Sequence, residues 1–161
     1  MTQPIITRLQ IDSPLGPLRL YAADHALCGV FLPSQSPTLV TTAGPPDPAL
    51  QLAALQLREY FAGERRVFTV PLRATGTDFQ RTVWRALLAI PHGETRSYGA
   101  LAHAIARPTA SRAVGHANSK NPISILVPCH RVIGSTGNLT GYAGGAAAKQ
   151  WLLAHEAGAS R

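Results

Sequence analysis

Ile5, Thr7, Leu9 and Ile11 alternate with polar neighbours, the period of two expected of a strand with one buried face. Asp12-Ser13-Pro14-Leu15-Gly16-Pro17 reads as a turn. Leu18 to Ala22 and Leu27 to Leu32 follow as apolar runs of strand length, which predicts a small antiparallel sheet. Residues 33 to 46 carry four prolines and no period, so they read as a loop. Asp47-Pro48 then has the form of an N-cap with proline in the first turn, and a helix is predicted to about Ala62, stopped by Gly63. Val67 to Pro71 is read as a further strand.

The pattern changes at Thr75-Gly76 and becomes mostly helical. Thr77 and Gln80 have capping-box spacing, and Phe79, Val83, Trp84, Leu87 and Leu88 mark one face of the helix they open. Pro91 ends it. Ser97 is positioned to cap a short helix from Tyr98 to Ala106, and Thr109 to cap another from Ala110 to about Asn118. Two short helices with a tight break at Arg107-Pro108 predict a helix-turn-helix. A strand is predicted at 123 to 127, then a glycine-rich stretch from Gly134 to Gly145, and a last helix from about Ala146 to Ala157. The expected fold is α/β with two lobes: a small antiparallel sheet and helix in residues 1–75, and a mostly helical domain carrying the helix-turn-helix in 76–161.

Composition narrows the possibilities. The chain has 161 residues, 45% of them hydrophobic, enough for one ordinary core or two small lobes. No stretch approaches the roughly 18 apolar residues of a membrane span, and Met1-Thr2-Gln3-Pro4 lacks signal-peptide character. A cytoplasmic protein without membrane association is expected. Two cysteines, Cys28 and Cys129, are poor material for a disulfide framework. His25 and Cys28 have ligand-like spacing, but no second pair completes a tetrahedral set, so no metal is expected. The net charge of +7 is uneven: residues 1–75 hold six basic and five acidic side chains, residues 76–161 nine basic and three acidic. A basic second half favours a polyanionic partner, nucleic acid first.

Chemistry concentrates at Pro128-Cys129-His130-Arg131, directly after the apolar run. A thiol reacts as its thiolate, and His130 and Arg131 are able to supply a base and positive charge. A cysteine-histidine pair works best when a third group orients the imidazole. The second half offers Asp78, Glu94 and Glu156. Asp78 suits the first turn of its helix, and Glu94 lies in a loop. Glu156 at a helix C-terminus opposes the dipole; a buried place beside His130 accounts for that, and so does an ordinary surface position. Arg112 lies among small residues on the second short helix, where it is able to reach phosphate or the base stack.

These parts together resemble the methylated-DNA–protein-cysteine methyltransferases, or O6-alkylguanine-DNA alkyltransferases. Gly-Thr-Asp-Phe-Gln at 76–80, Val-Trp at 83–84, Ile-Pro-His-Gly-Glu-Thr-Arg-Ser-Tyr at 90–98 and Ser-Arg-Ala-Val-Gly at 111–115 carry the resemblance. So do Asn-Pro at 121–122, Val-Pro-Cys-His-Arg-Val-Ile-Gly at 127–134 and Leu-Thr-Gly-Tyr at 139–142. The first half resembles the family more loosely, through Ser13 to Leu18 and Tyr60-Phe61-Ala62-Gly63.

The resemblance implies a ribonuclease H-like first lobe and a suicidal transferase acting on alkylated guanine, and less readily alkylated thymine, in double-stranded DNA. It implies Cys129 as alkyl acceptor, His130 as base and Glu156 as the acid orienting it. Asn121 would brace the turn, and Tyr98 would rotate a phosphate and donate toward the flipped guanine. Arg112 would fill the gap in the duplex, with Ser111, Ala113 and Gly115 beside it on the DNA-facing helix. Tyr142 and Pro128 would line the base pocket, and the backbone at Val132 and Ala143 would bond the guanine edge. No cofactor and a monomeric protein are implied. The chain departs from some relatives in having no cysteine shortly after the acceptor, no evident zinc ligands, and polar His116 and Asn118 on the DNA-facing helix. Two other readings are a damage sensor that binds without transfer, against which Cys129 speaks, and a cysteine hydrolase, which leaves the helix-turn-helix and the basic charge unexplained.

Overall fold

The computed structural model describes residues 4–134, 136–137 and 141–158. Three strands, β1 (Thr7–Ile11), β2 (Leu18–Ala23) and β3 (Ala26–Phe31), form an antiparallel sheet in the order β1-β2-β3. One face, with Leu18, Leu20, Leu27 and Val30, is fully buried. Helix α1 (Pro48–Phe61) covers it, burying Leu50, Ala53, Ala54, Leu57 and Tyr60 at helical spacing. Asp47 caps α1 as expected, its carboxylate accepting from Ala49 N at 2.9 Å.

The second lobe contains α2 (Asp78–Leu87), β4 (Arg96–Ser97), α3 (Tyr98–Ala104), α4 (Ser111–Ser119), a 3₁₀ turn at Cys129–Arg131, β5 (Val132–Ile133) and α5 (Ala146–Gly158). The Thr77/Gln80 capping box is present in both directions, and Ser97 caps α3 through Ala100 N. Trp84 Nε1 donates to Ala117 O at 2.9 Å, which pins α4 onto α2. Strands β4 and β5 pair in parallel, Arg96 opposite Val132. The sequence shows no sign of this pairing, because two-residue strands are too short to carry a period. Buried apolar residues from both lobes form one continuous cluster.

Three expectations fail locally. Residues 123–127 are buried but are not a strand. Leu126 N bonds to Ser124 O and Val127 N to Ile123 O, closing a tight turn in which Ile125 takes φ 75°. Proline on both sides, at 122 and 128, offers no N–H to a ladder. Val67 to Pro71 forms no strand either; the contact is a single bridge between Leu27 and Leu72. The residue at the N-cap of α4 is Ala110 rather than Thr109, and no side chain caps that end.

The edge of β3 positions the site. Val30 N donates to Pro122 O at 2.9 Å and Ser124 N to Val30 O at 3.2 Å. The turn leading to Cys129 is thereby stitched to the sheet of the first lobe.

Candidate active site

Cys129 opens the 3₁₀ turn and is 3% exposed. Asn121 holds it from one side: its amide Nδ2 lies 3.1 Å from Sγ and 2.8 Å from Val127 O, while Oδ1 accepts from Ile123 N at 3.0 Å. One buried side chain therefore closes the 121–127 turn and touches the thiol. From the other side, Asn118 Nδ2 reaches Cys129 O at 3.3 Å, tying α4 to the same residue. Asn118 is 2% exposed, so it does not add polarity to the outer face of α4 as the sequence reading expects.

Burial pushes the Cys129 thiol up from its ordinary value, while the Asn121 hydrogen bond and the nearby Lys149 charge oppose that rise. The resting group is a thiol awaiting a base. The positive charge facing it comes from Lys149 on α5, not from Arg131. Lys149 is fully buried, donates from Nζ to Val132 O at 2.5 Å and lies 6.0 Å from the centre of the Tyr142 ring. The sequence reading passes over this lysine. The one available signal is a cation three residues into a helix whose first turn is otherwise alanine.

His130 is completely buried, and Nε2 meets Glu156 Oε2 at 2.7 Å. Burial lowers the imidazole's affinity for a proton, with the Glu156 hydrogen bond opposing. A neutral ring that donates from Nε2 leaves Nδ1 as a bare acceptor, and Nδ1 is buried without a protein partner among the described residues.

Glu156 is 4% exposed. Arg131 grips it as a fork, Nε on Oε1 at 2.8 Å and Nη2 on Oε2 at 2.9 Å, and sends Nη1 to Ile90 O at 2.7 Å. Burial alone would raise this carboxyl. The hydrogen bonds from His130 and Arg131 outweigh it and hold Glu156 well below the usual carboxylate range. The surface reading of Glu156 is excluded. The other two acids do sit outside: Asp78 pairs with exposed Arg81, and Glu94 with Arg96.

Tyr98, at the start of α3, is half-buried, and its ring lies over Gly115. Burial and nearby Cys129 raise its phenol, so it remains a hydrogen-bond donor. Tyr142 is 7% exposed; burial, with Cys129 close by, raises it well above the ordinary value, and its hydroxyl has no protein partner among the described residues. Pro128 and Val132, which flank the 3₁₀ turn in the chain, are buried, and Ala143 is exposed on the glycine-rich loop. Leu139 and Thr140 of that loop lie outside the described residues. On α4, Arg112 and Ala113 are exposed, with Ser111 and Gly115 partly so. Among the described residues no three His, Cys, Asp or Glu side chains form a metal-binding group, and no helix is long and apolar enough to cross a membrane. Cys28 lies apart on β3, half-buried.

The loop bearing Tyr142 packs tightly on the first lobe at Gly144. A Cβ there would lie 2.8 Å from both Leu32 Cδ2 and Tyr142 Cε2, and Ser34 Oγ donates to Gly144 O at 3.2 Å. Gly144→Ala therefore forces Leu32 or the Tyr142 ring to move. It is expected to cost about 1–3 kcal/mol, read as a lower denaturation midpoint with an altered Tyr142 ring environment by NMR.

Residues 7–74 match the family described as 6-O-methylguanine DNA methyltransferase, ribonuclease-like domain, and residues 78–158 its DNA binding domain. The methylated-DNA–protein-cysteine methyltransferase of Mycobacterium bovis is 54% identical over 144 residues, covering 89% of this chain and 87% of that protein. The Methanosarcina acetivorans protein of the same name is 48% identical, covering 88% and 92%. The constitutive Bacillus subtilis enzyme of that name is 46% identical, covering 83% and 84%. Among solved structures, Mycobacterium tuberculosis OGT in complex with DNA superposes with a TM-score of 0.85 at 52% identity, over 92% of this chain and 91% of that one.

Proposed function

Because this chain belongs to the 6-O-methylguanine DNA methyltransferase family, we propose that it repairs DNA by moving the alkyl group of O6-alkylguanine onto its own Cys129, once per molecule. The observation that carries this reading is the buried line of Cys129, His130 and Glu156, with His130 Nδ1 bare and its other nitrogen fixed on a carboxylate. Glu156 holds the tautomer. Nδ1, through a bridging water, takes the thiol proton, and Glu156 stabilises the imidazolium that results. Sulfur then attacks the sp3 carbon; the S–C bond forms as the C–O6 bond breaks, and the electron pair passes into the purine. Tyr98 donates a hydrogen bond to that developing charge. The thioether is stable and nothing in the site cleaves it, so the protein is consumed by its reaction and needs no cofactor.

The target carbon lies inside a duplex, so the base is flipped out to meet a sulfur that is itself buried. Helix α4 enters the minor groove. Its first turn lacks a side-chain cap, leaving N–H groups for phosphate around Ser111 and Ala113, while exposed Arg112 fills the space left by the base. Small Gly115 lets α4 approach closely. Tyr142 and Pro128 wall the pocket, and the backbone at Val132 and Ala143 bonds the guanine edge. Alkylated thymine is a poorer substrate. The unit boundary lies near residue 75, and the working form is a cytoplasmic monomer.

Intact mass spectrometry after incubation with a duplex bearing one O6-methylguanine tests this. The expected result is one added methylene mass per chain, mapped to Cys129, with guanine restored. Folded protein that binds the duplex and gains no mass would instead mark a damage-binding protein.

A further inference from the structure

The first lobe sends one polar group into the catalytic machinery. Tyr60, at the C-terminal end of α1, is fully buried, and its hydroxyl donates to Glu156 Oε2 at 2.7 Å across 96 residues of sequence. That oxygen is the one that receives His130 Nε2 at 2.7 Å and Arg131 Nη2 at 2.9 Å. The ring is held edge-on by Phe61 and His155, with centroids at 5.3 and 5.2 Å. His155 Nε2 also contacts the Tyr60 carbonyl at 2.7 Å. Phenylalanine would fill the same space. Only the hydroxyl reaches the carboxylate. Burial and the adjacent Glu156 push the phenol far above its ordinary value, so it donates at every working pH.

We propose that Tyr60 is a positioning residue for alkyl transfer: by sharing Glu156 Oε2 with His130, its hydroxyl limits how strongly His130 holds a proton. This rests on the reading of His130 as the base. A carboxylate oxygen that accepts from three donors offers less electron density to each. With the phenol gone, Oε2 polarises the His130 Nε2–H bond more strongly, Nδ1 becomes more basic, and less neutral imidazole is present at a given pH. The charged groups facing His130 are Glu156 and Lys149 from α5 and Arg131 beside it. His92, from the loop after α2, and His155 face the Glu156–Tyr60 pair. Tyr60→Phe leaves all five in place.

The test is the single-turnover transfer rate as a function of pH, with methylated duplex in excess and each variant kept below its melting temperature. Tyr60→Phe is expected to bind the duplex as the parent does and to reach nearly the same rate at high pH. The midpoint of its acid limb should move up by about half a unit to one unit, so that the rate on that limb falls about three- to tenfold. Phe61→Leu disturbs the same aromatic cluster without touching Glu156, and should lower stability while leaving the profile in place. Added to Glu156→Gln, the tyrosine change should shift nothing further. A Tyr60→Phe profile that superimposes on the parent's, or an equal shift in Phe61→Leu, overturns the assignment. A Glu156→Gln protein that transfers at the parent rate overturns the relay itself, a distinct result from the failure of Tyr60 alone.

Discussion

Cys129→Ala is expected to abolish alkyl transfer completely while leaving affinity for O6-methylguanine duplex within about threefold, a change of roughly 0.7 kcal/mol. The two properties separate because they rest on different atoms. Transfer needs Sγ, and no other group near the site is a comparable nucleophile; Cys28 lies on β3. DNA contact is assigned to α4, which is tied to residue 129 through the backbone carbonyl that receives Asn118 Nδ2. Alanine keeps that carbonyl. Fluorescence anisotropy with a methylated duplex, alongside intact mass, measures both. Transfer surviving in the variant would mean a different acceptor, and lost binding would mean that the thiol shapes the DNA surface.

Glu156→Gln is expected to have two large effects at once. It leaves Arg131 buried beside a neutral amide, and breaking a buried pair in this way costs about 3–5 kcal/mol. For a chain of this size, that lowers the melting temperature by about 6–20 °C. It also loosens the His130 tautomer, and transfer should slow at least about 100-fold, the lower end of what a positioned base supplies. The pH dependence has a definite sign. Glu156 is held below its unfolded value near 4.3, so its contribution to stability is complete above that value and is lost as pH falls. His130 is lowered as well, so it too favours the folded state above its unfolded value of about 6.5 and opposes it below. Acid unfolding of the parent should therefore begin earlier than its surface carboxylates alone would cause, and Glu156→Gln should flatten the carboxylate part of that curve. Urea midpoints from pH 3 to 8 measure this.

Much of the fold is legible in the sequence because its signals are local. Asp47-Pro48 and the Thr77/Gln80 box announce helix starts whose partners lie two or three residues away. The alternation around Leu9 survives because β1 turns Thr7 and Ile11 inward and leaves Arg8 and Gln10 exposed, whereas β2 is buried almost throughout and reads as an apolar run. The run at 123–127 is misread because burial and extension look alike in a short apolar segment; the turn depends on Asn121, whose contacts are set by the folded chain. The site is legible through the motif around Cys129, and Glu156 through its awkward place at a helix end. The place of Lys149 and the role of Tyr60 are not legible, although Tyr60 lies in a stretch that resembles the family. Each sits in a helix where its residue type is unremarkable, and its meaning appears only when α5 is laid against the thiol and against α1.

The bond between Tyr60 and Glu156 also bears on the order in which the protein becomes reactive as it is made. A ribosome releases α1 early and α5 late, so the group that orients the base reaches a turn that has already emerged. Until α5 docks, Cys129 has neither an oriented imidazole nor the Lys149 charge near it. Because α5 follows the Cys129 turn in the chain, the relay is complete only once that later segment has folded back onto the turn and onto α1.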